Sequence, residues 1–172
     1  MKKAMTILIF LWSKEMKLFQ KFSAALLLSA FATGSAFAGG HMKAWEASGT
    51  QIPVSSETKT GKSGSITHLI STDIWDNSKA PANIPRVVKA TCHNTVVNDS
   101  NGAMLGGVGV CESVDGDGDV SLYVGTFGND GVYSATMTQG TGKYKEYVGV
   151  KLTGGFIGQT SSGEGIYHMK PQ

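Results

Sequence analysis

The chain has 172 residues and a formal net charge of +2, and it contains only two cysteines. This length suits a single domain. Once residues 1–38 are set aside, ten basic residues remain against twelve acidic ones, and they form no basic cluster. A nucleic-acid partner is therefore not expected.

Residues 1–38 have the features of a secretory signal peptide. Lys17 and Lys21 precede a short apolar run, and Ala36-Phe37-Ala38 provides the small-x-small pattern that a signal peptidase cleaves. The apolar run is much shorter than the ~20 residues that a membrane-spanning helix needs. We predict a cleaved signal, for which Met16 is an alternative start, and no membrane span in the mature chain, residues 39–172. The protein is then exported, either to the periplasm or out of the cell.

Cleavage after Ala38 would create an amino terminus that begins Gly39-Gly40-His41. The α-amine, two deprotonated backbone amides and the imidazole would supply four coplanar nitrogens, which suits Cu(II) or Ni(II). An incidental histidine, or a His41-Met42 pair left by cloning, explains the same residues without a metal. The segment is therefore a speculative copper or nickel site.

Short runs rich in β-branched and aromatic residues alternate with turn sequences through the mature chain. We predict strands at 44–50, 65–75, 87–97, 104–113, 120–127, 132–138, 147–158 and 165–170, with an irregular connection at 77–85. No segment shows a sustained helical period, and glycine is abundant. The predicted fold is all-β, a small antiparallel barrel of about eight strands in which sequence neighbours pair and no edge stays exposed.

The third and fourth predicted strands are joined at Asn101-Gly102, a strong hairpin signal. A type I′ turn needs positive φ at both central residues, and this dipeptide accepts it. A two-residue loop there places Cys92 opposite Cys111, at a hydrogen-bonded pair with a Cα separation of about 5.5 Å. We therefore predict a cross-strand disulfide, which excludes a catalytic role for either thiol.

Several segments of the second half resemble a known group of proteins. The runs at 92–97 and 106–111, Val114-Asp-Gly-Asp-Gly-Asp119 and Gly140-Thr-Gly-Lys-Tyr-Lys145 resemble exported, mostly uncharacterised bacterial proteins with an allene oxide cyclase-like barrel of the calycin type. The resemblance covers about half of the mature chain and implies the same barrel. Leu122 and Tyr123 stand where such proteins often carry tryptophan, and no catalytic residue of the cyclases can be matched here.

Asp115, Asp117 and Asp119 alternate with glycines in the connection after the fourth strand. Carboxylates at alternate positions can converge on Ca²⁺. The EF-hand pattern is not met, however, because Val120 stands where its glycine belongs and Thr126 where its glutamate belongs. A solvated turn is the alternative interpretation, since aspartate and glycine are common in turns.

A second polar pair lies on the predicted hairpin, where His93 is diagonal to Glu112. A histidine beside a carboxylate can serve as a general base. Lys89, Thr91 and Thr95 share this strand face, and a polar face of this kind is typical of an exposed surface.

Six large side chains on the predicted strands are candidates for the barrel interior: Tyr123, Phe127, Tyr133, Met137, Tyr147 and Phe156. An eight-stranded barrel is either filled by side chains or holds one small ligand. With so much glycine in a short chain, a filled core is the first expectation and an apolar pocket the alternative.

Three classes of function remain open from the sequence. Non-enzymatic binding of a small apolar ligand or a surface partner is favoured, because no pair of titratable groups indicates acid–base chemistry. An isomerase or cyclase acting on a lipid-like substrate is what the barrel resemblance would allow, and it needs mainly a shaped apolar cavity. A structural or host-contact envelope protein is the third class. No cofactor is expected beyond the speculative Ca²⁺ and Cu²⁺ sites, and the sequence does not indicate an oligomeric state.

Overall fold

The computed structural model describes residues 44–172, which form one closed antiparallel β-barrel with the strands paired in chain order. The predicted signal peptide and the Gly39-Gly40-His41 segment lie outside the described residues. One 3₁₀ helix, Gly142–Tyr147, interrupts the strands, which are β1 (Ala47–Gly61), β2 (Gly64–Asp76), β3 (Val87–Asp99), β4 (Met104–Val114), β5 (Val120–Phe127), β6 (Tyr133–Gly140), β7 (Lys151–Gln159) and β8 (Gly165–Pro171). No helix in this part of the chain is long and apolar enough to cross a membrane.

The predicted all-β class, strand number and chain-order pairing are confirmed, but the bounds of two strands are wrong. β1 was predicted at 44–50, whereas it runs from Ala47 to Gly61. The predicted strand at 147–158 begins only at Lys151, because its first residues belong to the 3₁₀ helix and the turn that follows. Ser, Thr, Glu and Lys dominate the missed part of β1, so no buried face marks it as a strand.

This missed segment belongs to a β1–β2 hairpin that projects beyond the barrel. β1 pairs with β2 along its whole length, from Ser48 opposite Asp76 to Gly61 opposite Gly64. Its pairing with β8 ends at Gln51 opposite Gly165. Beyond this point β1 has a neighbour on one side only, and most of its side chains are exposed. The polar composition of the segment fits solvent on both faces.

The β3–β4 hairpin has the predicted register but not the predicted turn. The Asp99 amide donates to the Ala103 carbonyl at 2.9 Å, which leaves a loop of three residues. Gly102 has a φ of +83°, and among the described residues no non-glycine has positive φ, so the type I′ prediction is wrong. The register then shifts by one residue between Val97 and Asn98. The bulge offsets the extra loop residue, and Cys92 still lies opposite Cys111.

The predicted Cys92–Cys111 disulfide is present, with a Cα separation of 4.1 Å. This distance is typical of a non-hydrogen-bonded pair, so the predicted hydrogen-bonded position is wrong. In the chain-entropy account, a crosslink across 19 residues stabilises the folded protein by about 3 kcal/mol. Both half-cystines are buried against the barrel interior.

Glycines on the inner face make room for aromatic rings on the neighbouring strands. A Cβ at Gly49 would lie 2.2 Å from the ring of Tyr167, and one at Gly125 would lie 2.7 Å from the ring of Tyr133. A ring can therefore lie flat over the backbone of the next strand only where that strand carries no side chain. The abundance of glycine follows in part from this packing.

One end of the barrel is closed by two segments outside the sheet. The 3₁₀ helix buries Tyr144 and Tyr147, and the 77–86 connection contributes Ile84 to the same core. Trp45 packs edge-to-face on Tyr147, with a ring-centroid distance of 5.2 Å. We call this the closed end. The opposite end carries the 128–132 and 160–164 turns, and we call it the open end.

Candidate functional site: the barrel cavity

The barrel interior contains a cavity of about 90 Å³, so the expectation of a completely filled core is wrong. Aromatic rings line the cavity toward both ends of the barrel, and those toward the closed end are Trp45, Trp75 and Tyr123. The remaining aromatic lining, toward the open end, consists of Phe127, Tyr133, Phe156 and Tyr167.

The exposure of the lining shows where the cavity meets solvent. Trp45 and Tyr123 are 7% and 8% exposed, whereas Phe156 is 40% exposed. Phe156 packs edge-to-face on Tyr167 with a centroid distance of 5.8 Å. The cavity therefore opens beside Phe156, and this ring forms part of its mouth.

Among the described residues that line the cavity, Asp73 is the only carboxylate. It lies on β2 and is 3% exposed. Its Oδ1 accepts a hydrogen bond from the Ser71 hydroxyl at 2.7 Å, and its Oδ2 accepts one from the Tyr167 hydroxyl at 2.7 Å. Within residues 44–172 no Lys, Arg or His forms an ion pair with it. The cavity thus contains a buried acidic group without a counter-charge from the described chain.

Burial shifts the pKa values of the ionisable groups around the cavity. It raises the pKa of Asp73, although the hydrogen bonds from Ser71 and Tyr167 oppose the shift. Burial and the nearby Asp73 charge raise the pKa of Tyr133 to about 12, and they also raise that of Tyr167. Both tyrosines therefore keep their protons at neutral pH. Tyr133 uses its hydroxyl to bind the Gly109 carbonyl at 3.0 Å.

The six predicted interior side chains occupy three kinds of position. Four of them line the cavity: Tyr123, Phe127, Tyr133 and Phe156. Met137 is fully buried in the core and does not line the cavity. Tyr147 is buried as well, but it lies on the 3₁₀ helix at the closed end.

The sequence did not identify Asp73 because the polarity pattern of β2 is misleading. Ser71 and Asp73 face the interior, whereas Ile74 faces outward and is 37% exposed. An apolar-inside assumption would give the opposite orientation. The available signal was the pairing of β2 with β3, which places Ser71 opposite Cys92 and therefore puts Asp73 on the same face as the disulfide.

The three predicted calcium ligands surround an ammonium group from the chain itself. Lys143 Nζ lies 2.7 Å from Asp115, 2.6 Å from Asp117 and 3.4 Å from Asp119. Hydrogen bonds to Asp115 and Asp117 raise the pKa of Lys143. Burial raises the pKa of Asp115, but the bond from Lys143 and those from the amides of Asp117 and Asp119 bring it below its usual value. The Asp-Gly-Asp turn and the Gly-Thr-Gly-Lys sequence thus meet in one ion-pair cluster.

Among residues 44–172, no group of His, Cys, Asp or Glu side chains is placed to hold a metal ion. The calcium site therefore stays a prediction without geometric support. The copper or nickel site at Gly39-Gly40-His41 lies outside the described residues and also stays a prediction. His93 and Glu112 are both exposed on the outer face, where their register places them diagonally, away from the cavity.

Comparison with known proteins leaves the cavity as the basis for an argument about function. No family model, curated protein or solved structure matches this chain. The similarity to exported barrels of the allene oxide cyclase type therefore stays an expectation from the sequence.

Proposed function

We propose that this protein binds one small, largely apolar ligand inside the barrel. The observation that carries the proposal is the cavity of about 90 Å³ with seven aromatic side chains and one buried carboxyl group in its lining. Cavities with apolar walls and a few convergent polar groups are typical ligand sites. Asp73 and Tyr167 would orient the ligand, while the rings supply the apolar contact.

The size of the cavity limits what can enter. A cavity of roughly 150 Å³ accommodates one benzene ring, so about 90 Å³ admits a group of a few heavy atoms. The mouth beside Phe156 allows the rest of a longer molecule to extend out of the barrel. The ligand we expect therefore has a compact buried head and is not enclosed as a whole.

We place this binding in the periplasm or outside the cell. The Cys92–Cys111 disulfide supports an oxidising compartment, where such bonds persist. The signal-peptide pattern at residues 1–38 supports the same location.

Tryptophan fluorescence provides a direct test. Trp45 and Trp75 are the only tryptophans after residue 38, and both line the cavity. Mature protein purified from its own envelope or medium should release a small molecule detectable by native mass spectrometry. Adding the extracted molecule back to stripped protein should change the fluorescence in a saturable way.

A cavity-filling substitution provides the matched control for this titration. Ala135 is 5% exposed and lines the cavity, so Ala135→Leu should weaken binding by about tenfold or more. Val124→Leu adds a methylene to a side chain that is 41% exposed on the outer face and should leave binding unchanged. Equal binding by both variants, or the absence of any copurifying molecule, would contradict the proposal and favour a surface-partner or envelope-contact role.

A second candidate is an isomerase or cyclase acting on a lipid-like substrate, as the barrel resemblance would allow. The hydrogen-bonded Asp73–Tyr167 pair favours it, because a carboxyl group in an apolar site can donate or accept a proton. The test is to incubate the extracted ligand with the protein and follow its structure by NMR. Conversion that is lost in Asp73→Asn while binding persists would establish catalysis, and an unchanged ligand would reject it.

A further inference from the structure

We propose that the buried head of the ligand is a small organic cation, such as a methylated ammonium group, seated between Asp73 and the surrounding aromatic rings. This inference rests on the proposed ligand binding and names the chemistry of the ligand. It depends on two features of the cavity, which are the charge balance around Asp73 and the type of aromatic ring in the lining.

The described chain supplies no positive group to balance the charge of Asp73. Asp73 faces Gln51 on β1 and Ala90 on β3 across the sheet, and neither residue carries a charge. The titratable groups near it are the Tyr133 and Tyr167 hydroxyls, which are neutral below about pH 10. Among the described residues that line the cavity there is no Lys, Arg or His. A cation in the cavity would therefore supply a full countercharge that the described chain does not.

The aromatic lining suits the same ligand. A cation is attracted to the faces of Trp and Tyr rings, and the attraction is strongest where water is excluded. Five of the lining rings are of these two types: Trp45, Trp75, Tyr123, Tyr133 and Tyr167. Methyl groups on the nitrogen provide apolar surface for the rings. The positive charge of the ammonium group, which is spread over these methyl groups, is balanced by Asp73. A neutral apolar head of the same shape would leave the carboxyl group without a partner in the ligand.

The titration of the Asp73 carboxyl group makes the binding pH-dependent. Burial raises the pKa of this carboxyl group, so at low pH the free protein carries a proton there. A permanently charged ligand binds the ionised form and releases that proton. Affinity should therefore rise with pH, by about tenfold per unit below the pKa of Asp73 in the free protein, and become constant above it.

The experiment compares two molecules of the same shape and different charge. Choline carries a trimethylammonium group, and its uncharged counterpart 3,3-dimethylbutan-1-ol has a carbon atom in place of the nitrogen. By titration calorimetry with the mature protein, we expect choline to bind at least about tenfold more tightly. Asp73→Asn should remove most of this preference and the pH dependence, and it should leave the affinity for the alcohol unchanged. Glu112→Gln, which neutralises an exposed carboxylate on the outer face, should bind both molecules as the wild type does.

The outcomes separate this inference from the proposed function. Equal affinities for the two molecules, or a charge preference that persists in Asp73→Asn, would overturn the cationic head. If only the alcohol binds, the cavity is a ligand site and the cationic head is wrong. If neither molecule binds, the cationic head is again wrong, and the copurification test with Ala135→Leu decides the proposed function independently. Circular dichroism of Asp73→Asn verifies that the variant is folded.

Discussion

At the scale of single residues, Asp73 combines burial with ionisable chemistry. Both of its oxygens accept hydrogen bonds at 2.7 Å, so the side chain is held in one position. Burial nevertheless disfavours its charged form. A group of this kind lowers the stability of the folded protein at neutral pH, and such costs are typical of functional positions.

Asp73→Asn should therefore stabilise the protein at neutral pH. Because the pKa of Asp73 is raised in the folded state, its favourable contribution is complete below the unfolded value of about 4 and is lost as the pH rises through the folded pKa. Asparagine does not titrate, and its Oδ1 can accept one of the two hydrogen bonds while its Nδ2 donates to the other hydroxyl oxygen. Urea unfolding across the acidic to neutral range should show the advantage of the variant growing with pH and then becoming constant. Parallel stability curves for wild type and variant would contradict this explanation, and Glu112→Gln is the control.

Lys143 is the second residue whose role can be tested alone. If its ammonium group is the counter-ion of Asp115, Asp117 and Asp119, Lys143→Met should lower the melting temperature, because three carboxylates then repel one another. Calcium should restore part of the loss in the variant and leave the wild type unchanged. A calcium-dependent rise in the melting temperature of the wild type would instead support the calcium site that the Asp-Gly-Asp spacing suggests.

At the scale of elements, aromatic rings on one strand pack over glycines on the neighbouring strand. Gly49 on β1 lies opposite Tyr167 on β8, and Gly125 on β5 accommodates the ring of Tyr133 on β6. The rings that shape the cavity are thus positioned by the absence of side chains on adjacent strands. This arrangement couples the shape of the site directly to the packing of the sheet.

Gly49→Ala tests this coupling. The new Cβ would lie 2.2 to 2.6 Å from atoms of the Tyr167 ring, so the ring has to move and its bond to Asp73 is disturbed. We expect a loss of about 1 to 3 kcal/mol in the free energy of unfolding, together with weaker ligand binding. Gly158→Ala on β7 meets nothing within 4 Å and should have little effect on either. The hypothesis fails if the two variants unfold at the same urea concentration.

At the scale of the whole molecule, the barrel has a closed end, an open end and a projecting hairpin. The core at the closed end contains Trp45, Tyr144 and Tyr147, whereas the cavity reaches solvent beside Phe156 at the open end. The β1–β2 hairpin continues past the last pair with β8 at Gln51. The β1 arm of this hairpin beyond Gln51 is paired with β2 alone and therefore has few contacts that resist local opening.

Hydrogen exchange should follow this asymmetry. Amides at residues 54–61 belong to a strand with one neighbour, whereas β5 is paired on both sides, with β4 and β6. We expect peptides from the hairpin tip to exchange at least about tenfold faster than those from Val120–Phe127. Mass spectrometry of the exchanging protein measures both segments in one experiment. Equal protection would show that the free edge of β1 is covered, for example by a second copy of the chain.

Much of the fold could be predicted because strands that pair in the barrel are also neighbours in the sequence. Each strand pairs with its sequence neighbour, and turn sequences between short apolar runs indicate that order. The β3–β4 register was right even though the turn type was wrong, because the three-residue loop and the bulge beside Val97 compensate each other. The polar half of β1 was missed because its strand conformation comes from pairing with β2 and leaves no apolar pattern.

The sequence by itself determined the fold class, the order of the strands and the Cys92–Cys111 pair, since all three depend on contacts within one hairpin or the next. Only the tertiary structure decided which face of each strand is inside. Barrel closure through the β1–β8 pair brings Tyr167 to Asp73 across 94 residues, and the pairing of β4, β5 and β6 brings Lys143 to Asp115 across 28. The alternation of side chains along a strand defines two faces but does not say which one is enclosed. The enclosed face carries the cavity, because the glycines there leave room for rings and for one buried carboxyl group.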